Sequence, residues 1–184
     1  MTCLRSQKFL AIVGACQACS EGKLIARRWP SYCSKQNVCI ISGMAPGIDS
    51  AAHGGSLDAE SAGIAVLGYG LLAGSAQQMK QIEALTVRGC VISEYPPQTL
   101  ARARYFPQRN RLIAGIAQAL LVVEGGLKSG SLITARQALN YGREVFSVPG
   151  SVLNDIHTGS HQLIKRRSNP CIRCRGYFTK STLA

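Results

Sequence analysis

Six short runs of apolar residues, each the length of a β-strand, recur along this 184-residue chain and alternate with segments of helical spacing. The runs are Phe9 to Val13, Val38 to Ile41, Ile64 to Leu67, Cys90 to Ser93, Ala119 to Val123 and Val145 to Val148. Between them, 20–35, 48–61, 77–88, 109–117 and 131–141 read as helices. A strand that is apolar throughout must be covered on both faces, which is the situation of a parallel sheet with crossover helices. The expected fold class is therefore α/β, a Rossmann-like, doubly wound, mostly parallel sheet with helices on both faces and right-handed crossovers.

Composition narrows the function. Hydrophobic residues make up 46% and charged residues 16%, which supports a sizeable core and argues against wholesale disorder. No run approaches the roughly 18 to 20 apolar residues of a membrane helix. Met1 to Lys8 carry no apolar stretch of the secretory kind, so a cytoplasmic location and no membrane partner are expected. The net charge is +12. Six basic residues and no acid fall in 165–184, yet 1–164 still holds 15 basic residues against nine acidic ones. The body of the protein is thus basic by itself, as a phosphate-backbone binder should be. The last twenty residues show no apolar periodicity. The chain is expected to divide into a Rossmann-like domain over 1–164 and a flexible basic tail over 165–184.

Gly- and Ser-rich loops follow five of the strands: Gly14, Ser42-Gly43, Gly68-Tyr69-Gly70, Gly125-Gly126 and Pro149-Gly150. Ligands of open α/β sheets bind outside the carboxyl ends of the strands, so these loops are candidates for one shared site. In ISGMAPGIDSAAHGGSL, residues 41–57, a strand runs through a Gly-containing turn into a helix. Such a turn offers free N–H groups and a positive helix end to an anion, although Gly43 and Gly47 would serve a tight turn equally well. His53 follows Asp49 by one helical turn, and a pairing of the two on one face is expected to be structural.

In YFPQRNRLIAGIAQALLVVEGGLKSGSLITARQAL, residues 105–139, Arg109-Asn110-Arg111 precede an apolar run and are placed at a helix start. With Arg102, Arg104, Tyr105 and Phe106 they combine guanidinium groups for phosphate with flat rings for stacking. Lys128-Ser129-Gly130-Ser131 then set a cation, two hydroxyls and a glycine at a second helix N-terminus, a phosphate cradle in miniature or, more plainly, a helix cap.

Catalysis finds little support. No serine has a His/Asp partner in recognisable order, and carboxylates are scarce. Glu94 and Glu124 each end a strand and could approach one another for acid–base work, or either could hold Arg109 in place. Cys16/Cys19 and Cys171/Cys174 have metal-like spacing, but 152 positions separate the pairs and no Cys/His cluster lies between. No metal and no cofactor is expected.

The segments ISGMAPGIDSAAHGGSL, IAVLGYGL, CVISEYPP, the 105–139 segment and GREVFSVPG, in that order over about 11–164, closely resemble the DNA-processing protein A family (DprA, also called Smf). The resemblance implies an extended Rossmann fold, sequence-independent binding of single-stranded DNA and a homodimer. It further implies a non-enzymatic recombination-mediator role in natural transformation, shielding incoming strands and helping to load the recombinase RecA. Matched position by position, the family's DNA-contacting loop falls on Ser42, Gly43, Ala45, Gly47 and Asp49, its lysine on Lys128 and its F-P-x-R-N-R motif on Phe106 to Arg111. The expected phosphate contacts are thus Ser42, Gly43, Ala45, Gly47, Arg109, Asn110, Arg111, Lys128, Ser129, Gly130 and Ser131. Pro46 and Cys16 stand where the family usually has arginine, and Leu72 and Ser75-Ala76 replace its usual Asp and Tyr-Pro. A Rossmann-like nucleotide hydrolase of the lysine-decarboxylase-like group is the alternative. Its P-G-G-x-G-T-x-x-E signature is approached only at Glu124 to Ser131, without the final glutamate.

Overall fold

The computed structural model describes residues 8–166 and 168–171. Seven strands form one sheet: β1 Lys8–Val13, β2 Val38–Ser42, β3 Gly63–Leu67, β4 Cys90–Ser93, β5 Ala119–Val122, β6 Glu144–Ser147 and β7 Asn169–Pro170. The helices between them are α1 Ser20–Ser34, α2 Ile48–Asp58, α3 Ala76–Thr86, α4 Tyr105–Ile116, α5 Gly130–Asn140 and α6 Thr158–Lys165. The strand order is β4-β3-β2-β1-β5-β6-β7, and every pairing is parallel. The chain winds outward from β1 in one direction and from β5 in the other, the doubly wound arrangement expected from the alternating runs.

The core divides by strand parity. Ala11 and Val13 of β1, with Ile41, Val66 and Leu120, pack beneath Ile113, Ala114, Leu132 and Ala135 of α4 and α5. Leu10 and Ile12 point the other way, with Ile40 and Leu121, beneath Trp29 and Ala26 of α1 and Ala52 of α2. Successive β-strand side chains alternate between faces, so the central strands carry apolar residues on both.

Three boundaries differ from expectation. Helix α4 begins at Tyr105, four residues before the predicted start, so Arg109, Asn110 and Arg111 lie one turn inside it. Pro107 is tolerated because the first-turn N–H groups of a helix have no intrahelical acceptor. Second, the fold continues past residue 164: β7 pairs with β6, the Cys171 N–H donates to the Ser147 carbonyl at 2.8 Å, and Cys171 is buried. Third, α6 was not foreseen. It docks through small residues: the Ser160 N–H donates to the Gly125 carbonyl at 3.2 Å, and a Cβ on Gly159 would come within 2.5 Å of that oxygen. The remainder of the expected tail, 172–184, lies outside the described residues.

Candidate nucleic-acid interface

At the point where the winding reverses, the loops after β1 and β5 diverge and leave a cleft of about 350 Å³. Four parts of the chain line it: Val13, Gly14 and Cys16 after β1; Ala45, Pro46 and Asp49 around the start of α2; Phe106, Arg109 and Asn110 of α4; and Ser129, Gly130, Ser131 and Thr134 at the start of α5. Three of the five Gly/Ser loops therefore meet. Of the other two, Gly68-Tyr69-Gly70 packs behind the Phe106 ring and Pro149-Gly150 against His157.

The loop after β2 is already satisfied from within. Ser42 is fully buried, its hydroxyl donating to the Ile12 carbonyl at 2.6 Å. The Gly43 N–H donates to Asp49 Oδ2 at 3.1 Å, and the backbone of Ala45 and Gly14 also favours the charged carboxylate. Asp49 thus occupies the anion position that this loop was expected to offer a phosphate, and Ser42 and Gly43 are withdrawn from the cleft. Burial pushes the Asp49 carboxyl up to about 6, against the opposing pull of Arg109 and these N–H groups. Gly47, at φ +81°, sits against the carbonyls of Ala15 and Cys16.

Arg109 is likewise internal, at 3% exposure. Its Nη1 donates to the Gly43 carbonyl at 2.6 Å and to that of Val66, and its Nε donates to Asn110 Oδ1 at 3.1 Å. The guanidinium holds backbone and faces Asp49, so it is tied neither to Glu94 nor to Glu124. Arg111 instead pairs with Glu94 on the surface. Glu124 is fully buried just after β5, while Glu94 follows β4, with three strands between them in the order, so these two carboxylates form no acid–base pair. Nor does Asp49 pair with His53. Burial holds the His53 imidazole down at about 4, against the opposing effect of the Ser42 backbone and with the Arg109 charge adding to the shift.

The start of α5 remains open. Ser129 caps the helix, its Oγ 3.4 Å from the Ser131 N–H and 2.7 Å from Ser131 Oγ. The N–H groups of Lys128 and Gly130 meet no acceptor among the described residues, and a Cβ on Gly130 would enter open space. Lys128 is exposed and makes no ion pair with a described residue; Glu124, four residues before it, is buried. Thr134 was missed by sequence reading. Its spacing of three from Ser131 puts both on one helix face, which is the signal that marks it. Beside the cleft, Tyr95 and Tyr105 stack with centroids 4.3 Å apart, and the Arg104 and Arg102 guanidinium carbons lie 5.3 and 6.0 Å from the Tyr105 ring centre.

An all-parallel sheet with an open, capped helix start over its switch point defines a Rossmann-like α/β domain with a cleft at that point. The chain belongs to the DNA recombination-mediator protein A family, whose model matches residues 1–178. It is 41% identical to protein Smf of Escherichia coli over 159 residues, 85% of this chain and 42% of that protein. To the DNA processing protein DprA of Bacillus subtilis it is 37% identical over 172 residues, 90% of this chain and 56% of the relative. The chain thus spans about half the length of the curated relatives it matches. Among solved structures, DNA processing protein A from Streptococcus pneumoniae superposes with a TM-score of 0.84 at 33% identity, over 92% of this chain and 60% of that one. The Helicobacter pylori protein, studied for its single-stranded DNA binding mode, shares the fold at TM-score 0.82 and 23% identity, over 91% and 77%. No described helix is long and apolar enough to cross a membrane.

Proposed function

We propose that this domain binds single-stranded DNA through its phosphates, without sequence preference, as the DNA-holding part of a recombination mediator rather than as an enzyme. One observation carries the reading. The cleft has two helix N-termini, and because Asp49 fills the first, an incoming phosphate is directed to the second, at Lys128 to Ser131. Asn110 and Phe106 then flank the bound strand with an amide and a ring. Family membership and the single-stranded DNA studied with the Helicobacter pylori protein support the choice of ligand. The same reading extends to a homodimer, a cytoplasmic location, a part in natural transformation and delivery of strands to RecA.

The test is Lys128→Ala, measured by fluorescence anisotropy on oligo-dT and on mixed-sequence strands across a salt series. Log affinity falls against log salt with a slope of about −0.7 per neutralised phosphate. The variant loses affinity equally on all sequences, its slope is shallower by about 0.7 to 1, and its melting temperature is unchanged. Unchanged affinity would remove Lys128 from the site, and a flat salt response of the parent protein would remove the phosphate mechanism.

A further inference from the structure

The loop joining β1 to α1 carries a pair of cysteines that strand binding does not use. Cys16 is exposed at the cleft, and the chain bends at Cys16 and Gln17 before reaching Cys19, the N-cap of α1. Cys19 is held on a buried carboxylate: its N–H donates to Glu124 Oε1 and its thiol to Glu124 Oε2, both at 3.0 Å. The sulfur also accepts the Gly22 N–H at 3.3 Å. Glycine is required at 22 because a Cβ there would run into the Glu124 carboxylate. The other end of the loop closes on the same residue, the Ala15 N–H donating to the Glu124 carbonyl at 2.8 Å. The two cysteines stand in Cys-x-x-Cys spacing at the N-terminus of α1, the spacing and placement of dithiol–disulfide couples. The positive end of α1 favours negative charge on sulfur there.

We propose that Cys16 and Cys19 are a reversible dithiol–disulfide couple served by Glu124, with a low-molecular-weight disulfide as the oxidant. The Cys16 thiolate attacks one sulfur of the small disulfide, forming a mixed disulfide and releasing one small thiol. Glu124 Oε2 then takes the proton from Cys19, and the Cys19 sulfur attacks Cys16. That closes the internal disulfide and releases the second small thiol. Two protein thiols are oxidised and one small disulfide is reduced to two thiols. Glu124 then gives that proton to the departing small thiolate, so both small molecules leave as thiols and the carboxylate returns to its starting state. Burial raises both thiols above their ordinary range, with Asp49 adding to the effect at Cys16 and Glu124 at Cys19. Thiolate is scarce without a base in place, and Glu124 is that base. The test of the couple measures thiol state alone, so its failure and the failure of the DNA-binding reading are distinguishable.

The experiment equilibrates the full chain in glutathione thiol/disulfide mixtures, blocks free thiols with N-ethylmaleimide and digests with trypsin. The fragment 9–23 contains both cysteines and no other. A fragment two hydrogens lighter and free of label is expected to grow with the disulfide fraction. In Cys19→Ser it is replaced by a glutathione adduct on Cys16. In Glu124→Gln closure slows by about tenfold or more, the scale of a lost general base, and the Cys16 adduct accumulates. Full labelling of both cysteines at every ratio, or a stable Cys16 adduct in the parent chain, overturns the couple. Closure at the parent rate in folded Glu124→Gln overturns the role of Glu124. Should that variant not fold, Cys19→Ser still decides the couple.

Discussion

Asp49 and Arg109 grip one residue between them: the Asp49 carboxylate accepts the Gly43 N–H at 3.1 Å, and Arg109 donates to the Gly43 carbonyl at 2.6 Å. The turn after β2 is thereby fixed by a buried acid and a buried base brought from two different helices. Removing the base leaves a buried carboxylate uncompensated and two carbonyls without their donor. Arg109→Leu is therefore expected to destabilise by about 3 to 5 kcal/mol, read by urea unfolding. Arg111→Ala, which breaks only a surface pair, costs less than about 1 kcal/mol. Equal costs would contradict the internal role of Arg109.

The same grip makes Gly43 sensitive to one added methyl. A Cβ there would lie 2.5 Å from Arg109 Nη2 and 2.6 Å from Asp49 Oδ2. Gly43→Ala is expected to cost about 1 to 3 kcal/mol by overpacking. Gly130→Ala, with open space at its Cβ, should be neutral or gain about 0.4 to 1 kcal/mol. Thermal melts of the two variants give the comparison.

His53 predicts a pH response. Its folded value is about 4 against an ordinary 6.5, so between those values the unfolded chain binds more protons than the folded one. Stability from this group is complete above pH 6.5 and is lost as pH falls toward 4, by a total on the order of 3 kcal/mol. His53→Asn should lose correspondingly less stability than the parent between pH 7 and 4.5. Asp49 shifts the opposite way and acts in both proteins, so the difference between them isolates the histidine. Parallel pH profiles would show that the imidazole gains a proton without penalty in the folded state.

Pro46 lines the cleft at an exposed position beside the start of α2. On the proposed function, Pro46→Arg brings one more cation to the strand. Affinity for single-stranded oligonucleotides should rise, and the salt slope should steepen by about 0.7. An unchanged slope would place the strand away from this loop.

The sheet was legible because strands buried on both faces must be apolar at every position, as Leu10 to Val13 are. Helix α6 was not, because it is only eight residues long and is docked by close backbone approach at Gly159 and Ser160, with Leu163 as its one buried large apolar side chain. The α5 half of the site could be read from a lysine, serines and a glycine placed at a helix start. The α2 half misled for a physical reason. A Gly-rich turn into a helix makes an anion position, but sequence does not show that the anion is supplied by the chain's own Asp49 from the first turn of that helix. Guanidinium groups carry the same ambiguity: Arg109 and Arg111 are two positions apart, and the helix turns one inward and the other out to Glu94.

A resident carboxylate in the loop after β2 also bears on selectivity. A solution rich in free phosphate and mononucleotides finds that position taken, so small anions cannot saturate it. On the proposed reading, whatever is bound must be held by contacts spread around the rim, each weak alone. A monomer can satisfy one or two of these at a time. A polymer satisfies many at once, and discrimination in its favour then comes from valency, with no need for a tighter pocket.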